Sequence, residues 1–445
     1  MTRAEIQAES QAVEDNLKTH LTNGEKLMVV KAPPGSGKTF LLLRGVEHLA
    51  KGNHRVAIGA QTNSQADDIC ERLARDYPDI HVIRFAASRS APRALGPTVE
   101  WVTDKGDLPT GPCVVVSTVA KWSLTQLPDT YDILFVDEAW QMSWSDFMLC
   151  GQLTDRFVLI GDPGQIPPVV PISVRRWETS PRAPHQPAPE LILADTGLPT
   201  KALELPACRR LPWDSVELVR PFYDFEFGAW AKAGERYVRV SPSTDGSDSI
   251  DPALDLLADG SVSALTLPTP ANGPPLELDE EIARLAAATA CRILDRGAEV
   301  VDDETGHARK LEPKDVGLTA THRVVNSAMH RELPNALRGA SGVAVDTPER
   351  WQGLERKVMI VVHPLSGVTH PSSFDLETGR LCVMTSRHRS GLIVIGRDHI
   401  RDTLESHIPA AEQAVGRPDI TGRGHQANLQ FWETMSASGR VTPAA

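Results

Sequence analysis

The segment APPGSGKT, residues 32–39, constrains this chain more than any other feature. It follows an apolar run, Leu27–Val30, that reads as a strand, and it precedes FLLLRGVEHLA, which has helical periodicity. A strand, a Gly/Pro-rich turn and a helix in this order form a phosphate cradle. The backbone N–H groups of the turn make a concave nest, and the helix N-terminus adds partial positive charge. In such a loop Pro34, Gly35, Ser36 and Gly37 form the wall around the phosphates. Lys38 reaches the β- and γ-phosphates, and the Thr39 hydroxyl binds Mg²⁺. Ala32 stands at the first position of the pattern, where glycine is usual.

The surrounding sequence supplies the rest of an α/β fold. Val56–Gly59 reads as a second strand, followed by a helix in which Ala66, Ile69, Cys70 and Leu73 share one face and Asn63 or Ser64 can cap the start. Further apolar runs lie at 81–85, 113–117, 132–138 and 156–162. Strands alternating with helices predict a mostly parallel sheet covered on both faces. The Pro-rich stretch at 175–190 reads as a connection or surface insertion. Residues 239–276 are rich in Ser, Asp, Pro and Gly and carry no readable element. An amphipathic helix then begins at EEIARL, and strand patterns follow at 315–321, 357–363 and 391–396. This reading places the first domain at 1–175, a linker at 176–198, the second domain at 199–410 and a weakly patterned tail at 411–445.

Composition narrows the class. With 46 Lys and Arg against 58 Asp and Glu, the formal net charge is −12. So acidic a chain does not coat nucleic acid with its whole surface, although one basic channel on an acidic body is compatible with that balance. The six cysteines are scattered and form no CxxC pair, so neither a zinc ribbon nor a disulfide framework is expected. The first ten residues have no apolar stretch of the signal-peptide kind. No apolar run approaches the ~20 residues needed to span a bilayer. The expectation is a soluble, cytoplasmic, multidomain protein without membrane partners.

DILFVDEAW delivers two carboxylates to the C-terminal edge of a strand, where ligands bind in open α/β sheets. Asp137 suits Mg²⁺ coordination and Glu138 suits the general base for an attacking water. GDPGQIPPV, at 161–169, follows another strand and places Gln165 where it can sense a γ-phosphate.

The ordered series APPGSGKT, QTNSQADD, VSTVAKW, VDEAW, GDPGQIPP, WQGLE and TSRHR resembles the motif series of superfamily 1 helicases. The resemblance runs from about residue 25 to 175 and again from about 200 to 397. It implies an α/β fold of two tandem RecA-like P-loop domains with parallel sheets, ATP in the cleft between them and single-stranded nucleic acid across both. Carried over, Thr62 and Asn63, and then Ser117 and Thr118, are backbone contacts to the strand; helix capping, which Asn63, Ser64 and Ser117 could all do, is the competing role for either segment. Arg387 in TSRHR corresponds to an arginine finger. LPACRRLP carries a second catalytic arginine. Counting from Leu205 selects Arg210, and counting back from Phe222 and Tyr223 selects Arg209.

In VDTPERWQGLE, the resemblance implies Gln352 and Gly353 near the γ-phosphate, Glu355 accepting from the ribose and Thr347 on the strand. Trp351 reads as packing first and as a base platform second. LTATHRVVN adds Thr321 and Arg323 as strand contacts, and Gln7 or Gln11 would read adenine. The Gln-Ile-Pro-Pro and WQGLE details resemble the 5′-to-3′ branch, which includes the nonsense-mediated-decay-type helicases. The implied activity is an ATP-dependent helicase or translocase on single strands, DNA favoured over RNA. The alternative is a P-loop ATPase that remodels or switches a larger assembly without unwinding.

Overall fold

The computed structural model describes residues 1–170, 173–177, 179–243, 248–275, 278–301, 306–409 and 419–444. They divide into two compact units. Among the described residues the first holds 1–163 and 167–207, and the second holds 164–166, 208–409 and 419–444.

The first unit is built on an eight-stranded sheet. Its strands are β1 (Leu27–Lys31), β2 (Arg55–Ala60), β3 (Val82–Phe85), β4 (Val99–Val102), β5 (Cys113–Thr118), β6 (Ile133–Val136), β7 (Phe157–Gly161) and β8 (Thr200–Glu204). The order is β4-β3-β5-β2-β6-β7-β1-β8, and every pairing is parallel. Successive side chains of a strand point to opposite faces, so a sheet covered on both sides needs unbroken apolar runs. β1 does this: Met28 and Val30 join the core formed with helices α1 (Arg3–Thr22), α2 (Lys38–Lys51) and α3 (Asn63–Asp76), while Val29 faces the opposite core around Trp122, Trp140 and Phe147.

The first unit extends past the boundary at 175 expected from sequence. The helix Ala188–Ala194 buries Ala188 and Ile192 against the Trp140 core, and β8 pairs with β1, setting Val29 opposite Ala202. The described part of 176–198 is therefore a packed layer and not a linker. Its Pro-rich composition hid this, because its backbone bonds go to distant partners such as Trp144 N–H to the Gln186 carbonyl at 2.7 Å.

The second unit carries a six-stranded sheet. From edge to edge its strands are Ala344–Asp346, Val316–Thr319, Arg356–Val362, His388–Arg397, Val262–Leu267 and Val441–Pro443, all paired in parallel. Helix Glu280–Asp295 packs Ile282, Ala286, Ala290 and Ile293 on one core. Helix Ile420–Ala437 packs Phe431, Trp432 and Met435 on another.

Two expectations are corrected here. The stretch 239–276 contains helix Asp251–Asp259 and strand Val262–Leu267, which lies inside the sheet between two partners; residues 244–247 and 276 lie outside the described residues. Ser261 and Ser263 disguise this strand as a loop. Ser261 is buried because its hydroxyl bonds Asp214 and Ser215. The tail after 410 likewise supplies a core helix and an edge strand, while 410–418 lie outside the described residues. Among the described residues no helix is long and apolar enough to cross a membrane.

Candidate active site

The phosphate loop leaves β1 at Lys31 and turns into α2 at Gly37. Gly37 is the N-cap residue with φ 95°, a left-handed conformation that a side chain would strain. It provides no side-chain cap, and the first turn of α2 holds no acid. The first amides of α2 are thus left for an external acceptor. The Ser36 hydroxyl is buried without a hydrogen-bond partner, which suits a group that completes its bonding on phosphate.

β6 brings the acids to the same edge of the sheet. The Thr39 hydroxyl donates to Asp137 Oδ2 at 3.2 Å, and Lys38 Nζ lies 3.1 Å from Glu138 Oε2. Asp137 is 6% exposed, and its N–H is tied to the Gly59 carbonyl of β2. Burial, and then the adjacent Glu138 charge, push its carboxyl up to about 6 against the pull of Lys38. Glu138 itself sits at φ 52°, a left-handed backbone unusual for a non-glycine residue. Gln61 fixes that turn by donating to the Glu138 carbonyl at 3.3 Å. A hydroxyl and a carboxylate oxygen at 3.2 Å are hard donors of the kind Mg²⁺ takes, since it uses one or two carboxylates and completes its shell with phosphate and water.

The segments expected to face a nucleic-acid strand divide. Thr62 caps α3, with Gln65 closing a reciprocal capping box. Asn63 is held by the buried Arg84, whose Nη2 donates to it at 2.8 Å while its Nε pairs with Asp67. Thr118 caps the next helix, Val119–Leu124. Ser117 is fully buried and donates to the Phe85 carbonyl at 2.7 Å, so it ties β5 to β3 and presents nothing to a strand. That corrects its sequence assignment; Thr62, Asn63 and Thr118 remain at the surface or near it. Gln11 is spent on Asp15 along the exposed side of α1.

In the second unit, Arg210 and Glu355 meet across 145 residues of sequence: Arg210 Nε donates to Glu355 Oε2 at 2.9 Å. Arg389 Nη1 donates to the other oxygen at 2.7 Å. Burial raises the Glu355 carboxyl, but Arg389 and Arg210 outweigh it and hold the group below its usual range. Arg210 also reaches the Ser386 carbonyl at 3.3 Å, beside Arg387. Arg209 instead lies over the Trp230 ring at 4.3 Å, with burial lowering its pKa. Of the two arginines left open by the motif, Arg210 is thus the one joined to the TSRHR segment. Arg387 is 1% exposed, its Nε donating to the Val383 carbonyl at 3.2 Å.

Gln352 has a buried, unpartnered Nε2, and Gly353 next to it turns at φ 78°. Trp351 is 1% exposed and packs in the core, which excludes a base platform. Arg323 and Thr347 line one groove with His330 and Arg350, whereas Thr321 borders a separate small cavity with a buried hydroxyl. Gln165 is buried and belongs to the second unit. Sequence reasoning missed Arg389, whose only signal was its place in TSRHR. It also missed Arg236, which no motif marks and whose Nη1 bonds the carbonyls of Arg209 and Arg210 at 2.7 and 2.6 Å.

The phosphate loop and its paired acids make the first unit a P-loop nucleotide-binding domain, and residues 16–171 match the family model described as an AAA domain. Two sequence relatives carry helicase names. The chain is 39% identical over 59 residues to an uncharacterized ATP-dependent helicase, MJ0104, of Methanocaldococcus jannaschii, covering 13% of this chain and 9% of that protein. It is 23% identical over 447 residues to the putative helicase mov-10-B.1 of Danio rerio, covering 85% of this chain. The chain thus spans only 9% and 40% of the lengths of these relatives. Among solved structures, arterivirus nonstructural protein 10, a helicase, is similar over 86% of this chain and 61% of its own, at 16% identity and TM-score 0.41. The DUF1998 helicase MrfA is similar over 88% and 48%, at 12% identity and TM-score 0.43. In motif series, matched domain and named sequence relatives, the chain resembles superfamily 1 helicases.

Proposed function

We propose that this chain hydrolyses ATP and uses the energy to move along single-stranded nucleic acid, 5′-to-3′, with DNA favoured over RNA. The observation that carries the reading is the constellation at the edge of the first sheet: Lys38 on Glu138 at 3.1 Å and Thr39 on Asp137 at 3.2 Å. Lys38 and the α2 amides would hold the phosphates. Thr39 and Asp137 would hold Mg²⁺, which when bound neutralises phosphate charge. Phosphate arriving at Lys38 releases Glu138, which then takes a proton from the attacking water. The new P–O bond forms as the bond to the β–γ bridging oxygen breaks, and ADP carries away that electron pair. Arg210 and Arg387 are the arginines that the motif resemblance assigns to the charge that develops in this step. The helicase names of both sequence relatives support the nucleic-acid track, as does the groove shared by Arg323 and Thr347.

The test is phosphate release with and without single-stranded DNA and RNA, followed by displacement assays on duplexes with one 5′ or one 3′ tail. Stimulated hydrolysis that Lys38→Ala abolishes is expected, with displacement from the 5′ tail. Hydrolysis indifferent to polynucleotide would favour the remodelling or switch ATPase, and displacement from the 3′ tail alone would overturn the polarity.

A further inference from the structure

We propose that Arg84 is a positioning residue for nucleic-acid binding by the first unit: it holds Asn63 by Oδ1, so that the amide turns its Nδ2 donor outward to a phosphate of the strand. The inference rests on the motor reading above and deepens it, and every residue it uses lies in the first unit. Arg84 stands on β3 and is 1% exposed. A guanidinium taken so far from water needs a carboxylate and filled donor sites. Its Nε donates to Asp67 Oδ1 at 2.7 Å, its Nη1 to the Phe85 carbonyl at 2.9 Å and its Nη2 to Asn63 Oδ1 at 2.8 Å. Asn63 and Asp67 lie one turn apart on α3, so a single guanidinium reaches both. Asp67 Oδ2 accepts from Arg93 Nη1 at 2.9 Å, which leaves this group of two guanidiniums and one carboxylate with a net positive charge.

The consequence falls on Asn63, which is exposed. A carboxamide offers an acceptor on one side and a donor on the other. With both sides open it can pair with a base edge, as it does bidentately with adenine. Here the acceptor is taken from within the protein, and Nδ2 has no hydrogen-bond partner among the described residues. Only a donor faces outward, and a phosphate oxygen is an acceptor that every nucleotide carries. Arg84 thus turns an ambiguous side chain into a backbone contact blind to sequence. Thr62 does not duplicate it, because its hydroxyl is spent in the capping box, accepting from the Gln65 N–H and lying 3.2 Å from Gln65 Oε1. An unpinned amide would rotate between its two orientations and lose that freedom on binding; the buried arginine removes it beforehand.

The experiment is a fluorescence-anisotropy titration of the full chain with a labelled oligothymidylate over a salt series, with Tm measured on each variant. Wild type is measured first: absence of strand binding overturns the motor reading and this inference with it. Given wild-type binding, Asn63→Ala is expected to lower affinity about tenfold, the ordinary worth of a hydrogen bond to a charged group. The log–log salt slope should stay as in wild type, because a neutral donor releases no counterion. In an Arg84→Met background the same substitution should cost less than about twofold, since the amide is no longer pinned. Wild-type affinity in Asn63→Ala, a salt slope that changes with it, or equal losses in both backgrounds would overturn the inference and leave the motor reading standing. If Arg84→Met fails to fold, Asn63→Asp takes its place: the new carboxylate keeps one oxygen on Arg84 and turns the other to the strand. Its Tm should be at or above that of wild type, with affinity lowered more than by Ser64→Asp, which adds the same charge one residue along. Equal losses from these two would likewise overturn the inference.

Discussion

Glu138→Gln separates binding from chemistry at the nucleotide site. The substitution keeps the side chain's shape and removes its charge. Loss of a general base lowers turnover by about 10²–10⁴-fold. Binding moves the other way. Lys38 Nζ is released from a partner at 3.1 Å, and relief of a partly buried pair of about 1 kcal/mol tightens nucleotide binding about fivefold. A third consequence falls on Asp137, whose carboxyl stands at about 6 because of burial first and the Glu138 charge second. Mg²⁺-dependent binding by the wild type should therefore weaken as pH falls through 6. Glu138→Gln removes one upward push, lowers the Asp137 value and flattens that dependence. For folding the sign is opposite. A carboxyl raised above its unfolded value binds its proton more tightly in the native state, so ionisation of Asp137 opposes folding as pH rises from the unfolded value through about 6. The assay is phosphate release, with fluorescent-nucleotide titration at pH 6 and 7.5. Turnover near the wild-type rate would refute Glu138 as the base, and an unchanged pH profile would refute its influence on Asp137.

Ser117→Ala should cost about 1 kcal/mol through loss of its bond to the Phe85 carbonyl, lowering Tm by a few degrees with single-strand affinity unchanged; weaker strand binding at an unchanged Tm would return Ser117 to the track. Asp279→Ala leaves Arg397, 2% exposed, with only the exposed Glu281 carboxylate and the Pro268 carbonyl, and should destabilise the second unit by about 3 kcal/mol in urea unfolding; a loss under about 1 kcal/mol would show the pair to be incidental. Single-strand affinity should fall with salt by roughly −0.7 in log–log slope per phosphate neutralised, despite the −12 net charge; a flat response would exclude a backbone-tracking groove.

What the sequence determined by itself is whatever a short stretch of chain specifies. APPGSGKT dictates a turn, a helix start and a lysine–hydroxyl pair because these features lie within eight residues. The unbroken apolar runs of β1, β5, β6 and β7 dictate strands buried on both faces, since only a parallel sheet between helical layers hides them. That the phosphate loop and the two acids should lie at one edge was legible too, because strands of one parallel sheet end there, whereas the Lys38–Glu138 and Thr39–Asp137 contacts come from the structure.

Tertiary structure alone decided the rest. Arg210 and Arg209 are adjacent in sequence, and only the placement of Glu355 and Trp230 sends one to a carboxylate and the other to an aromatic face. Ser117 and Thr118 are equally plausible polar strand-end residues, until the pleat of β5 turns one inward to the Phe85 carbonyl and leaves the other to cap a helix. The strand at 262–267 and the helix at 420–437 bury weakly patterned segments because their apolar residues pack against remote elements, while Ser261, just before the strand, is buried with Asp214 and Ser215 as its partners. Periodicity reports which face of an element is apolar. It does not report which remote side chain will pay the desolvation cost of a buried serine or arginine, and at those positions the fold had the last word.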